Sequence, residues 1–205
     1  LLGYFAQTNQ PCGIHPVTRL DRDTFGVVLL AKNAYVHAKL CRMMQEGQIH
    51  KTYLAAVYGK PKEAAGEISF PIYKLGNGSL LRVIDPRGKR AVSRYRVLAS
   101  DGKTSVLSLT PVTGRTHQLR LHCKMAGFPI LGDPQYETPG SMLASCRRRL
   151  FTQQLCAAKL ELLHPVTGER LTILTRKAVS TGDEQIQFDA AVLQRDMRAV
   201  ENLPY

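Results

Sequence analysis

Residues 91–110 read A-V-S-R-Y-R-V-L-A-S-D-G-K-T-S-V-L-S-L-T, and this stretch decides the fold. Two segments rich in β-branched and aromatic residues, 91–99 and 104–110, predict strands. They are joined by Ser100-Asp101-Gly102-Lys103, and the Asp-Gly step within that link is typical of a hairpin turn. We therefore predict an antiparallel pair of strands in the middle of the chain.

The segments on either side of this hairpin predict further strands and a few helices. Short runs of apolar and β-branched residues predict strands at residues 27–32, 49–58, 155–163 and 171–174. Apolar residues at helical spacing predict helices at residues 33–47, 116–127 and 183–200. Asn33 can cap the first helix and Gly47 can end it. This order indicates an α+β fold, a mostly antiparallel mixed sheet flanked by a few helices.

The composition is that of a globular protein with a strong positive charge. The 205 residues carry 28 Lys and Arg against 16 Asp and Glu, a formal net charge of +12. The longest apolar stretch, residues 27–31, is far shorter than the roughly 20 residues that span a bilayer, so we expect no membrane partner. The five cysteines are odd in number and widely spaced, which favours reduced thiols and predicts a cytoplasmic protein.

The positive charge is concentrated in the middle of the chain. Residues 51–100 contain ten basic and three acidic residues, whereas residues 151–205 contain six and seven. A field of one sign is expected on a surface that binds a phosphate backbone. A solvated basic face that only confers solubility explains the charge equally well. Charge alone therefore leaves both interpretations open.

One acidic residue stands apart from the others. Asp21 lies in R-L-D-R-D-T-F-G, residues 19–26, directly before the first predicted strand and between Arg19 and Arg22. Neighbouring guanidinium groups favour a charged carboxylate, which suits a nucleophile. From residue types alone, a structural Asp that caps a turn or pairs with arginine is the simpler explanation.

A second segment, T-G-R-T-H-Q-L-R-L-H at residues 113–122, lies where a predicted strand meets a helix. Gly114 lets the backbone approach closely there, and a helix N-terminus attracts anions. Arg120 and Lys124, four residues apart, are predicted on one face of that helix, away from its apolar face. The alternative is a surface helix with basic side chains and no further role.

Metal and nucleotide sites are less well supported. His117 and His122 are five residues apart, about 140° around a helix, so we expect no shared metal. Gly102-Lys103-Thr104 resembles the end of a phosphate-binding loop, but Val97 stands where that loop needs its upstream glycine. We therefore expect neither a metal enzyme nor a nucleotide-hydrolysing motor.

Taken together, the motifs resemble those of the RluA-type pseudouridine synthases. R-L-D-R-D-T-F-G resembles the family's R-L-D-x-x-T-S-G, and G-R-T-H-Q-L-R-L-H resembles its G-R-x-H-Q-I/L-R-x-H. K-T-Y-L-A-A-V-Y-G, L-G-D-P-x-Y and H-P-V-T-G-E also match, in the family's order, between about His15 and Leu174. Phe25 replaces the family's usual Ser, and Thr18 stands where His is common. From these two departures we expect altered local packing or substrate preference.

The resemblance implies a pseudouridine synthase fold and the isomerisation of uridine to pseudouridine in ribosomal or transfer RNA. It implies that Asp21 is the nucleophile and that Arg115 pairs with it. It further implies that Tyr53 stacks on the flipped base and is a candidate proton acceptor at carbon-5. The reaction needs neither redox chemistry nor hydrolysis, so no cofactor and no metal are expected. The candidate RNA-binding residues are Arg19, Arg22, Arg87, Lys89, Arg90, His117 and Arg120.

The resemblance also implies a domain organisation for the chain. We expect residues 1–180 to form the catalytic domain without the family's lead-in strand, residues 181–205 to form a helical tail, and the protein to be monomeric. Because no initiator Met is present, we expect a chain that begins inside a longer protein. Two other functions stay open: a non-catalytic RNA-binding protein on the same scaffold, and an RNA hydrolase that uses Asp21 and His117.

Overall fold

A computed structural model describes residues 2–9, 12–76, 81–182 and 187–188 of the chain. The helices in these ranges are α1 (Leu2–Gln7), α2 (Ala34–Gln45), α3 (Gln118–Met125) and α4 (Pro139–Arg147). The strands are β1 (His15–Pro16), β2 (Phe25–Gly26), β3 (Leu30–Ala31), β4 (His50–Tyr58), β5 (Ala65–Ser69), β6 (Ile72–Lys74), β7 (Arg82–Ile84), β8 (Val92–Ser100), β9 (Thr104–Pro111), β10 (Leu155–Leu163), β11 (Arg170–Leu174), β12 (Val179–Ser180) and β13 (Gln187–Phe188). None of the helices described is long and apolar enough to cross a membrane.

The main sheet is almost entirely antiparallel. Its strands follow the order β11-β10-β4-β9-β8-β5. The short strand β2 pairs in parallel with the first half of β10, whereas β11 pairs with the second half. The predicted hairpin is confirmed as β8 and β9. At its turn the Asp101 carboxylate accepts hydrogen bonds from the backbone N–H groups of Lys103 (2.7 Å) and Thr104 (2.6 Å). The α+β class predicted from the sequence is confirmed.

The core lies on both faces of this sheet, with β4 at its centre. Residues 54–57 of β4 are fully buried, because neighbouring strands and helices cover both faces. Ala55 and Val57 pack with Leu119 and Cys123 of α3. On the other face, Leu54 and Ala56 belong to a separate core cluster that also contains Ala144 of α4. Tyr53 therefore points to the α3 side, since alternate strand residues share a face.

The strand predicted at residues 27–32 is wrong in extent: the chain forms only the short strands β2 and β3. Gly26 has a φ of 117°, and a Cβ atom there would overlap the carbonyl group of Ala157 on β10. The Val27 N–H also donates to that carbonyl, at 2.9 Å. The chain passes tightly against β10 at this point and then turns away, so that β3 pairs with β1 instead.

The two central helices agree with the sequence. Asn33 caps α2 through its Oδ1, which accepts a hydrogen bond from the Val36 N–H at 2.8 Å. Gly47 follows α2 with a φ of 73°, the left-handed conformation that favours glycine, and Gly127 follows α3 in the same way with a φ of 88°. Helix α3 begins two residues later than the predicted start at Thr116.

Most of the helix predicted at residues 183–200 lies outside the described residues. Within it, Gln187 and Phe188 are described, and they pair with Val179 and Ser180 as strand β13. For these two residues the helical prediction is wrong, because their backbone groups bond to a neighbouring strand.

The two departures from the family motif have packing roles in this fold. The Phe25 ring packs against the core cluster that contains Leu54 and Cys156. The Thr18 side chain is buried, and its hydroxyl accepts a hydrogen bond from the Leu29 N–H at 2.8 Å. Phe25 therefore holds the first motif against the main sheet, and Thr18 joins it to the residue before β3.

Candidate active site

A cleft of about 610 Å³ opens on the α3 side of the sheet, at the N-terminal end of β4. Its walls come from the loop before β2, from the start of β4 and from the loop before α3. The charged and aromatic side chains that line it are those of Arg19, Asp21, Lys51, Tyr53 and Arg115. The three sequence motifs thus meet in one place, including all three predicted catalytic residues.

Asp21 is presented to the cleft by a tight turn. The Thr24 N–H donates to the Asp21 carbonyl at 3.0 Å, and Asp23 has a φ of 67°. The Asp21 side chain is 26% exposed, so a carboxylate oxygen is accessible from the cleft. Its Oδ2 lies 3.8 Å from Nη1 of Arg120. Asp21 is therefore a partly buried carboxylate held by one guanidinium group.

The position of Arg120 corrects the sequence prediction. Arg120 was predicted to bind RNA from outside the apolar face of its helix, but its side chain is only 3% exposed. Its Nε and Nη2 donate to the two carboxylate oxygens of Asp133, both at 2.7 Å, and the group lies 5.0 Å over the Tyr136 ring. A planar guanidinium fixed in this way has a third nitrogen to direct at Asp21. Arg120 is thus the partner of Asp21.

Arg115 does not take the part predicted for it. Its side chain is exposed, and its Nε donates to the Arg90 carbonyl at 3.1 Å. The Gln118 Oε1 accepts hydrogen bonds from the Arg115 N–H (3.0 Å) and the Thr113 hydroxyl (2.7 Å). These bonds hold the loop so that the Arg115 side chain runs along the cleft wall rather than to Asp21. The predicted pairing of Arg115 with Asp21 is therefore wrong, although both line the cleft.

Gln118 is the residue that organises this loop. Besides the two bonds its oxygen accepts, its Nε2 donates to the Val92 carbonyl and to the Ser93 hydroxyl, both at 2.9 Å. A buried amide with all these bonds ties the end of β9, the start of β8 and the start of α3 together. Gln118 belongs to the second motif, but its hydrogen-bond partners could not be predicted from the sequence.

Tyr53 stands on the cleft floor, with its ring against the core cluster on the α3 side. Burial, and then the negative charge of Asp21, raise the pKa of Tyr53 to about 12. Tyr53 is therefore a neutral phenol at neutral pH, and its ring is available for stacking without any ionisation.

Lys51 is a cleft residue that the sequence analysis missed. It lies two positions before Tyr53 on β4, so both side chains share a face of the strand. Burial lowers the pKa of Lys51 from its ordinary value. Among the residues that the structure describes, no side chain forms a hydrogen bond or an ion pair with it. The period-two pattern of β4 was the signal that could have revealed this amine.

The two histidines of the second motif have structural partners. His117 starts α3 with a φ of 56°, and its Nδ1 is 2.9 Å from the Tyr136 hydroxyl. It is not among the residues that line the cleft, so its predicted RNA contact stays a prediction. His122 is fully buried between the Ser93 hydroxyl (2.9 Å) and the Phe70 carbonyl (3.1 Å). Burial lowers the pKa of both rings.

The other candidate RNA-binding residues lie at the rim or beyond it. Arg19 lines the cleft and is exposed, and Arg22 is 96% exposed, 4.0 Å from Asp23. Arg87 and Lys89 line a second cleft, of about 400 Å³, beside the first. Arg90 is exposed and offers its carbonyl to Arg115. Their contact with RNA stays a prediction, but all five side chains are accessible.

The sequence of the chain is similar to those of several known proteins. A sequence profile for the family described as RNA pseudouridylate synthase matches residues 4–125. The chain is 41% identical over 147 residues to ribosomal large subunit pseudouridine synthase C of Rickettsia conorii, which covers 70% of this chain and 48% of that protein. It is 38% identical over 159 residues to the dual-specificity RNA pseudouridine synthase RluA of Haemophilus influenzae, covering 77% of this chain and 70% of that protein.

A solved structure shows the same similarity in three dimensions. Human RNA pseudouridylate synthase domain containing 1 superposes with a TM-score of 0.73 at 26% identity, over 99% of this chain and 86% of that one. The chain spans about half the length of several curated relatives that it matches, 48% of the Rickettsia protein among them.

Proposed function

The chain belongs to the RNA pseudouridylate synthase family, and we propose that it converts uridine within an RNA chain to pseudouridine, with Asp21 as the nucleophile. The observation that carries the proposal is the Asp21 carboxylate, which faces a cleft and lies 3.8 Å from a guanidinium group that is itself locked by Asp133. A carboxylate that faces the cleft beside a fixed guanidinium group suits attack on a sugar or base, and its placement matters because misplacement by about 1 Å can cost a hundredfold in rate.

The reaction rearranges bonds within one nucleotide. The bond between the sugar carbon and N1 of uracil breaks, the base rotates, and carbon-5 bonds to the same sugar carbon. N1 gains a proton and carbon-5 loses one, so atoms and electrons balance without an oxidant, a reductant or water. In this scheme Asp21 attacks the sugar or the base, or removes a proton from the sugar.

Tyr53 stacks on the uracil and is the candidate acceptor of the carbon-5 proton. A neutral phenol with a pKa of about 12 is a poor proton acceptor. However, one of the two causes of that raised pKa is the charge on Asp21, and a covalent bond to the substrate would remove that charge. Formation of the intermediate would thus bring the Tyr53 pKa back toward its ordinary value, although the contribution of burial would remain.

Access to a uridine requires that it leave the RNA stack, which costs a few kcal/mol. Arg19, exposed at the cleft rim two residues before Asp21, is placed to fill the space that the base vacates. The basic residues around the cleft supply phosphate contacts that offset this cost. We propose ribosomal or transfer RNA as the substrate, and the similarity to relatives named for the ribosomal large subunit supports the first of the two.

The test is tritium release from RNA labelled at carbon-5 of uridine, with ribosomal and transfer RNA transcripts as separate substrates. We expect release by the wild-type protein and none by Asp21→Asn, which keeps the shape of the side chain but removes the nucleophile. Asp23→Asn is the matched control, because Asp23 is exposed in the same turn. Release by Asp21→Asn at the wild-type rate contradicts the assignment of Asp21.

Binding without any release would instead favour the non-catalytic RNA-binding protein. Free uracil or cleaved strands among the products would favour the hydrolase.

A further inference from the structure

The second cleft lies beside the candidate active site and shares a wall with it. Gly114, Arg115 and Thr116 line both clefts. The rest of the second cleft comes from β6, β7 and the turn that follows β7. The charged side chains on its wall are all basic, namely Lys74, Arg82, Arg87, Lys89 and Arg115. Because the two clefts adjoin at this wall, one RNA strand can reach both of them.

Arg87 is held more firmly than an exposed arginine usually is. Its Nε and Nη2 donate to the two carboxylate oxygens of Asp85, at 2.9 and 2.7 Å, and its backbone N–H donates to the same carboxylate at 2.8 Å. Its guanidinium carbon lies 4.8 Å from the centre of the Tyr73 ring. Nevertheless, the side chain is 72% exposed. Arg87 is therefore fixed at its edge and at one face, and open to solvent elsewhere.

The turn that carries Arg87 is also fixed to β6. Gly88 donates its N–H to the Asp85 carbonyl at 2.8 Å, and Ile72 and Lys89 exchange two backbone hydrogen bonds of 2.9 Å. A Cβ atom on Gly88 would lie 2.5 Å from the Ile72 carbonyl carbon, so the turn packs directly on the strand. The turn therefore fixes the backbone of Arg87, and the contacts with Asp85 and Tyr73 orient its guanidinium plane.

The pairing with Asp85 decides what Arg87 can offer a ligand. The Arg87 bonds hold the pKa of Asp85 at about 2, so the carboxylate is charged at neutral pH and its negative charge lies directly beside the positive charge of the arginine. A compensated cation is a weak phosphate ligand. Its flat face is unaffected, however, and unpaired RNA bases stack on guanidinium planes as they do on aromatic rings. Stacking is the interaction that this geometry favours.

We propose that Arg87, backed by Tyr73 and clamped by Asp85, is a stacking platform for the base of an unpaired nucleotide that adjoins the target uridine. The proposal rests on the proposed function for the location of that uridine in the first cleft. Its neighbour's phosphate then passes the shared wall at Gly114–Thr116, and Lys89 and Arg115 supply the charge that Arg87 does not.

The test is a double-mutant cycle, measured by binding, between the Arg87 side chain and the bases that flank the uridine. The probe is a fluorescein-labelled nine-nucleotide RNA with a single uridine between two runs of four adenosines; its partner has abasic nucleotides on both sides of the uridine. All variants carry Asp21→Asn, so that chemistry does not alter the probe. We expect Arg87→Lys, which keeps the charge but loses the plane, to weaken binding of the unmodified strand about tenfold. On the abasic strand the same substitution should change little.

Arg94→Lys is the matched control. Arg94 is also an exposed arginine in an ion pair with a carboxylate, Glu67 at 3.1 Å, but it does not line either cleft. It should bind both strands as the parent protein does. Asp85→Asn is a second test of the clamp, and we expect it to lose the same preference for the unmodified strand.

Three results would overturn the platform: equal binding of both strands by the parent protein, an affinity of Arg87→Lys for the unmodified strand equal to that of the parent, or a loss in Arg87→Lys that is as large on the abasic strand. The last would indicate a phosphate contact. Tritium release is measured separately with Asp21 intact. If release fails but the coupling between Arg87 and the flanking base is observed, the proposed function fails and the platform stands as an RNA-binding feature. If release occurs without coupling, only the platform fails.

Discussion

Arg120 lies 3.8 Å from Asp21 and is locked in that position by Asp133, whose two carboxylate oxygens bind its Nε and Nη2 at 2.7 Å. Asp133 is fully buried and also accepts backbone hydrogen bonds from Gln135 and Tyr136. The candidate nucleophile is thus positioned by a buried ion pair that belongs to the core as much as to the cleft.

Substitution of Arg120 should therefore damage both stability and activity. Arg120→Gln leaves the Asp133 carboxylate buried without its cation, and breaking such a pair typically costs about 3–5 kcal/mol of unfolding free energy. Urea unfolding measures this loss, and tritium release should fall in parallel. Arg120→Lys should also lose stability and activity, because an ammonium group cannot form the same pair of parallel hydrogen bonds with Asp133.

Arg115→Gln is the comparison that separates the two arginines of the motif. Because Arg115 is exposed, its loss should change the unfolding free energy by no more than about 0.5 kcal/mol. It should weaken RNA binding through the lost positive charge. Equal destabilisation by the two substitutions would show that the ion pair with Asp133 is not the reason for the effect of Arg120.

Lys51 should contribute a phosphate contact. Its amine lines the cleft, burial lowers its pKa, and an anionic ligand beside it would favour the charged form and so oppose that shift. We expect Lys51→Met to reduce the slope of log affinity against log salt by about 0.7, the value for one contact to a single strand. Fluorescence anisotropy at several salt concentrations measures the slope.

The control for Lys51 is Lys60→Met, an exposed lysine just beyond the opposite end of β4. That variant should keep the parent slope. A parent slope in Lys51→Met as well would mean that its amine does not face a phosphate.

The buried His122 should make stability depend on pH. Its pKa is lowered by burial from an ordinary value of 6.5, so the unfolded chain binds a proton more readily than the folded one. The stabilisation is present above pH 6.5 and is lost as the pH falls from there toward the folded pKa. We expect the unfolding free energy to decrease between pH 7.5 and 5.5, by up to about 1.4 kcal/mol for each unit of difference between the folded and unfolded pKa. A decrease in the urea midpoint measures this loss.

In His122→Gln that decrease should become smaller, although His117, whose pKa is also lowered, should leave part of it. His50→Gln is the control, because the His50 side chain is exposed. An undiminished pH dependence in His122→Gln would assign the effect to other groups.

Features that depend on neighbours in the chain were predictable. The hairpin of β8 and β9 follows from Asp101-Gly102 between two β-branched segments, and α2 follows from the cap at Asn33 and the stop at Gly47. The short strands around Gly26 were not predictable, because the close approach of β10 is a contact across about 130 residues.

The sequence by itself determined which residues meet in the cleft, because the motifs around Asp21, Tyr53 and Arg115 could be recognised from neighbouring residues alone. Only the tertiary structure decided which arginine reaches Asp21. Arg115 and Arg120 share one motif, and their roles differ because Asp133 packs beside Arg120 and Gln118 turns Arg115 toward β8. Buried charges require partners, and the partner here comes from a separate loop, so its choice appears only once the chain has folded.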